Sequence, residues 1–95
     1  MNFEILETAR HELDEAITYY NRQHPELGDA FLFEVLAAID RIRAFPEAWP
    51  QLSRRTRRCR TKRFPYGVAY QPSEDSILIV AISHLHRDPS RWQDL

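Results

Sequence analysis

The chain has little of several things that would each point to a function class. Its 95 residues include one cysteine, Cys59, so an internal disulfide and a cysteine-rich zinc site are both excluded. There are two glycines, Gly28 and Gly67, neither in a glycine-rich run, which excludes a phosphate-cradling loop. No stretch approaches the roughly 18 consecutive apolar residues that span a bilayer, and the N-terminus carries no basic-then-apolar leader, so the expectation is a soluble cytoplasmic protein. Repeats, low-complexity tracts and flexible linkers are also absent. With 43% hydrophobic and 28% charged residues, the composition suits one compact domain over residues 1–95, near the lower size at which a core suffices without staples.

Net charge is almost missing too, at −1, but this conceals a division. Residues 1–50 hold ten acidic and four basic side chains, whereas residues 51–95 hold four acidic and nine basic ones. The molecule is therefore electrically two-sided, and a polyanion is drawn to the C-terminal half.

Periodicity divides the chain in the same place. Phe3 and Ile5 alternate with Asn2 and Glu4, as in a short half-buried strand. From Thr8, a candidate N-cap, Ala9, Leu13, Ala16, Ile17 and Tyr20 recur on one helical face, and this helix is expected to end between Asn21 and His24, before Pro25. A second helix follows through Leu27, Phe31, Val35, Ala38, Ile42 and Phe45. Its further apolar residues Leu32, Phe33, Leu36 and Ile39 predict packing on two sides, against the first helix and a sheet. Pro46 stops it, and Trp49 pins the loop that follows.

Beyond residue 53 the period becomes two. The pattern predicts a basic strand to about Phe64, a tight turn at Pro65-Tyr66-Gly67, a strand Val68–Gln71, a turn at 72–75, and a strand Ile77–Ile82. The last is almost continuously apolar and so should be central, covered on both faces. Asp88-Pro89 can begin a short helical turn that brings Trp92 back to the domain. The order is β-α-α-β-β-β, an α+β domain with a helical hairpin on one face of an antiparallel sheet.

Two constellations carry possible chemistry. Residues 54–63 contain seven arginines and lysines. In a strand, Arg58, Arg60 and Lys62 project one way while Arg57, Cys59, Thr61 and Arg63 project the other, with same-face charges only ~7 Å apart. Such a row is either a solvated, aggregation-resistant edge or a surface for nucleic acid or an acidic peptide. His84 and His86 share a face at the end of the central strand, followed by Arg87. They are either hydrogen-bonded packing residues or proton donors, acceptors or contacts. No third ligand accompanies them, and HELDE at 11–15 is no HExxH motif, so neither a metal nor a cofactor is expected. Arginines around Cys59 would lower its pKa, yet no histidine base lies near it in sequence and buried structural cysteine is the commoner case.

These residues carry a resemblance. The basic strand running into Arg63-Phe64-Pro65-Tyr66-Gly67-Val68-Ala69-Tyr70, then Ile79-Val80-Ala81-Ile82, then His84-Leu85-His86-Arg87-Asp88-Pro89 and Trp92, resembles the RelE/ParE superfamily of bacterial type II toxins, in its ParE-like branch. The likeness covers nearly the whole chain. It implies a growth-inhibiting toxin of the plasmid-stabilization kind, neutralised by a small cognate antitoxin that wraps it.

The resemblance leaves the mechanism divided. ParE-like members are associated with noncatalytic inhibition of DNA gyrase, and RelE-like members cut messenger RNA on the ribosome without a metal. The tail here departs from the nuclease pattern, which favours the gyrase reading; an inactive relative serving as a binding module is a third possibility. Under the nuclease reading His86, His84, Arg60, Lys62 and Arg87 must converge. Under the other, Arg58, Arg60, Lys62, Arg63, Tyr66 and Arg87 form the surface that meets antitoxin or target. The oligomeric state is not legible.

Overall fold

The computed structural model describes residues 2–86. Strand β1 (Asn2–Ile5) runs into helix α1 (Glu7–Gln23), which turns back through helix α2 (Leu27–Ala44). Strands β2 (Arg57–Arg60), β3 (Tyr66–Pro72) and β4 (Ser76–His84) follow. The expected order of elements is thus present. The expected helical turn at Asp88-Pro89 and the return of Trp92 lie outside the described residues.

The four strands stand in the order β1-β4-β3-β2. The meander β2-β3-β4 is antiparallel, but β1 joins β4 in parallel, with Asn2 opposite Ser76 and Ile5 opposite Ile79. The sheet is therefore mixed, not antiparallel throughout. Parallel neighbours need a long covalent detour, and the chain from α1 to β3 supplies it. This pairing also makes β4 an inner strand, as its continuous apolar run requires. Ile77, Ile79 and Ile82 face the helices, while Val80 and Ala81 pack with Ala69, Leu6, Leu52 and Leu78 on the far side. Ala69 pairs with Ala81 and Tyr70 with Ile79, so Val80 is the extra residue of a β-bulge.

The main core forms where the helical stripes meet the sheet. Ala9, Leu13 and Ala16 of α1 and Phe31, Val35, Ala38, Ile39 and Ile42 of α2 close over Val68, Tyr70, Ile77, Ile79 and Ile82. The helices cross tightly at Gly28, where a Cβ would lie 2.3 Å from the Ile17 carbonyl oxygen. The Gly28 N–H donates to Asn21 Oδ1 at 2.7 Å, so a side chain of α1 satisfies an otherwise orphan donor at the start of α2.

Three further expectations need correction. Thr8 does not cap α1; the cap position is Leu6, with extended backbone and no side-chain bond. The Leu6 N–H is held by the Ile79 carbonyl at 2.9 Å, so the chain turns from sheet to helix one residue past β1, with Thr8 already inside the first turn. The basic strand stops at Arg60 rather than near Phe64, and the turn precedes Tyr66 instead of containing it. Finally, α2 is not covered on all its apolar sides: Ile39 is buried, but Phe33 is 72% and Leu36 45% exposed.

Candidate functional site

The basic run is divided by the point at which β2 ends. Within β2 the alternation holds. Cys59 faces the core opposite Val68, whereas Arg58 and Arg60 stand on the other face, opposite Ala69 and Gly67. Gly67 makes room for Arg58, whose Cδ would lie 2.5 Å from any Cβ at that position. Partial burial, and the neighbouring charge of Arg60, pull the Arg58 guanidinium pKa below its ordinary value. Arg57, on the Cys59 side, donates through Nη1 to the Trp49 carbonyl at 2.7 Å and ties the preceding loop to the sheet.

Lys62 and Arg63 belong to a different surface. Thr61 is buried, and its hydroxyl bonds the carbonyls of Phe64 and Tyr66 at 2.6 and 3.2 Å, closing residues 61–65 into a compact loop. The row Arg58-Arg60-Lys62 expected for a continuous strand therefore does not form. Instead the Lys62 N–H donates to Glu34 Oε1 of α2 at 3.2 Å, and the Arg63 guanidinium lies 5.3 Å from the Phe64 ring centroid.

His84 and His86 do meet, with ring centroids 5.5 Å apart. The His86 N–H donates to His84 Nδ1 at 3.2 Å, occupying that nitrogen as an acceptor. His84 pairs with Tyr66 across β3–β4, their rings edge-on at 5.3 Å. Tyr66, expected as a contact residue, is buried among Phe31, Phe64 and Tyr20. His84 therefore shares the helix-side face with Tyr66, while Arg58 and Arg60 share the opposite face with Ala69 and Gly67. His84 and the pair Arg58 and Arg60 thus leave the sheet from opposite faces. Arg87, the remaining candidate, is outside the described residues.

Cys59 is buried, and burial pushes its thiol pKa up against the smaller opposing effects of Arg41's hydrogen bond and charge. It is not a poised thiolate. Among the described residues no group of three histidine, cysteine or acidic side chains is placed to hold a metal ion. No described helix is long and apolar enough to cross a membrane.

The sequence reading missed the exposed apolar surface. Phe33 and Leu36 point outward from α2, and Tyr19 of α1 is 55% exposed. Glu34, adjacent to Phe33, holds Lys62, and Arg41 Nη2 donates to the Arg60 carbonyl at 3.0 Å. Glu34 and Arg41 thus tie α2 to the end of β2 and the basic loop after it. The width of the apolar pattern in the second helix was the available sign, but it does not say whether a sheet or another molecule covers the surplus.

The comparisons agree with this architecture. The family model described as "ParE toxin of type II toxin-antitoxin system, parDE" matches residues 3–89. The fold is similar to a solved chain of the "Chromosomal ParDE TA system from P. aeruginosa", with TM-score 0.79, 16% identity, and coverage of 90% of this chain and 97% of that one. No curated protein sequence matches. With a strand, a helical hairpin and an antiparallel meander in the order the motifs implied, and a family match over almost its whole length, the chain belongs to the ParE toxin family of type II toxin–antitoxin systems.

Proposed function

We propose that this toxin is a noncatalytic, cytoplasmic inhibitor of DNA gyrase, acting as one domain and held inactive by a cognate antitoxin. The observation that carries the noncatalytic reading is that His84 leaves one face of the sheet and Arg58 and Arg60 the other. Metal-free cleavage of RNA needs a proton acceptor and cations around one phosphate. Here the His84 ring lies against Tyr66 and His86, and its Nδ1 accepts the His86 N–H. The test is direct: His86→Gln and His84→Gln should leave toxicity largely intact, and the purified protein should block supercoiling by gyrase. Codon-positioned cuts in ribosome-bound message, lost in His86→Gln, would overturn the reading.

The antitoxin is assigned to the surface formed by α2 and the loop after β2. Exposed Phe33 and Leu36 on α2, with Lys62 and Arg63 in the loop that Glu34 of the same helix holds, suit a segment that carries both apolar residues and carboxylates. Truncation of such anchors commonly costs about 2 kcal/mol or more, so Phe33→Ala with Leu36→Ala should weaken antitoxin binding by more than tenfold. Changing Lys62 and Arg63 together to glutamate should also weaken it. Undiminished binding in both variants would place the antitoxin elsewhere.

A further inference from the structure

The first arginines of the basic run, Arg54, Arg55 and Arg57, belong to neither surface above. They line a cleft of about 460 Å³ between the loop after Trp49 and the β3–β4 hairpin, together with Glu47, Ser73 and Ser76. The wall that carries them is firmly built. The N–H groups of Leu52 and Ser53 both donate to the Thr56 carbonyl, at 2.8 and 3.3 Å, forming the turn on which Arg54 and Arg55 stand. Thr56 is fully buried, and its hydroxyl accepts from Gln71 Nε2 at 3.1 Å, fastening that turn to β3. Arg57 is oriented by its bond to the Trp49 carbonyl, which uses one of its five donors.

Two exposed like charges thus follow one another on a hydrogen-bonded turn. Among the described residues neither Arg54 nor Arg55 makes a hydrogen bond or ion pair, and Glu47, although it lines the cleft, forms no ion pair with any of the three arginines. Three guanidinium groups and one carboxylate leave the lining with a charge of +2. On the facing wall the Ser73 and Ser76 hydroxyls are 2.9 Å apart. The Ser73 hydroxyl donates to the Ser76 carbonyl at 3.1 Å, so the Ser76 hydroxyl donates to Ser73 and this wall adds polar surface without a spare proton.

We propose that this cleft binds a phosphate group, presented as inorganic phosphate or as the monoester of a free nucleotide. A phosphate dianion matches the lining charge. Its several acceptor oxygens, spread tetrahedrally, can take fork-shaped donors from more than one arginine at once, which a planar carboxylate does less completely. The site favours a small anion over a strand of nucleic acid, because Glu74 and Asp75 stand in the same hairpin connection as Ser73 and Ser76 and repel a polyanion running past the cleft. The size is also that of a small-ligand cleft, at the lower end of about 300–1,000 Å³.

The test is calorimetric titration of the purified full chain at constant ionic strength, set with chloride, using inorganic phosphate, adenosine monophosphate, a glutamate-rich peptide and a short DNA duplex as separate probes. Saturable binding of phosphate or the mononucleotide at one site per chain is expected, with the tighter of the two identifying the source. Arg54→Gln with Arg55→Gln should weaken it about tenfold or more, which corresponds to losing about 1.4 kcal/mol. Arg54→Lys with Arg55→Lys, which keeps charge but loses the fork, should lie between that variant and the wild type. Arg58→Gln with Arg60→Gln, outside the cleft, should change affinity by less than about twofold. Thermal melts of each variant distinguish lost binding from lost folding. The proposal is overturned by the absence of saturable binding, by equal losses in the Arg58/Arg60 variant, or by tighter binding of the peptide or the duplex through Arg54 and Arg55.

Discussion

The Glu12 carboxylate accepts the backbone N–H of Ile82 at 3.0 Å, joining the second turn of α1 to the central strand. It does so just beyond Ile5, the last residue of β1 paired with β4. Where the neighbouring strand ends, a side chain supplies the next acceptor. Leaving that partly buried N–H without a partner costs about 1–3 kcal/mol. Glu12→Ala should therefore lower unfolding stability by that amount in urea titration, while Glu12→Gln, which retains a carbonyl acceptor, should lose less.

Gly28 provides a packing test. A methyl group there meets the Ile17 carbonyl oxygen and the Asn21 side chain, and the first contact is with backbone that cannot rotate away. Gly28→Ala should destabilise by roughly 1–3 kcal/mol, although alanine is the better helix former. A neutral or stabilising result in a denaturant titration would show that the helices can separate at no cost.

Glu26, which joins the two helices, has φ of 70° in the left-handed region. A side chain pays roughly 1–2 kcal/mol for that conformation, which glycine avoids. Glu26→Gly should raise the melting temperature, with part of the gain offset by the greater freedom of glycine in the unfolded chain. Glu26→Val should lower it.

Tyr70 is buried and its hydroxyl donates to the Pro46 carbonyl at 2.5 Å, linking β3 to the residue that ends the reach of α2. Burial pushes its pKa up to about 12, outweighing the lowering influence of Arg57. A raised pKa in the folded state means that this contribution is complete below the unfolded value, near 10, and is lost as pH rises through the folded one. Melting temperature should consequently fall between about pH 10 and 12. Tyr70→Phe should be less stable at neutral pH, through loss of the bond to Pro46, and should show a shallower alkaline decline.

Much of the fold was legible because local patterns and tertiary packing agree. The spacing of Ala9, Leu13 and Ala16, and of Phe31, Val35, Ala38 and Ile42, is the stripe by which each helix meets the sheet. The apolar run at 77–82 required an inner strand, and β4 is one. Pro46 and Pro25 likewise stand just past the ends of helices. The parallel pairing of β1 was not legible, since alternation reveals a half-buried face but not the direction of the neighbour.

The basic run shows why the candidate site was only partly readable. Sequence by itself determined that positive charge concentrates in residues 54–63, and that strand alternation there divides Arg58 and Arg60 from Cys59. Only tertiary structure decided that the strand stops at Arg60, because Thr61 can close the next turn once Phe64 and Tyr66 are in the core. That break sends Lys62 toward Glu34 of α2, while Arg54 and Arg55 go to the opposite end of β2 and the hairpin cleft. His84 and Arg60 were both visible as chemical groups, but which side of the sheet each occupies depends on register and on where the bulge at Val80 falls. Periodicity is a property of neighbouring residues, whereas convergence of distant side chains depends on how strands pair across the chain.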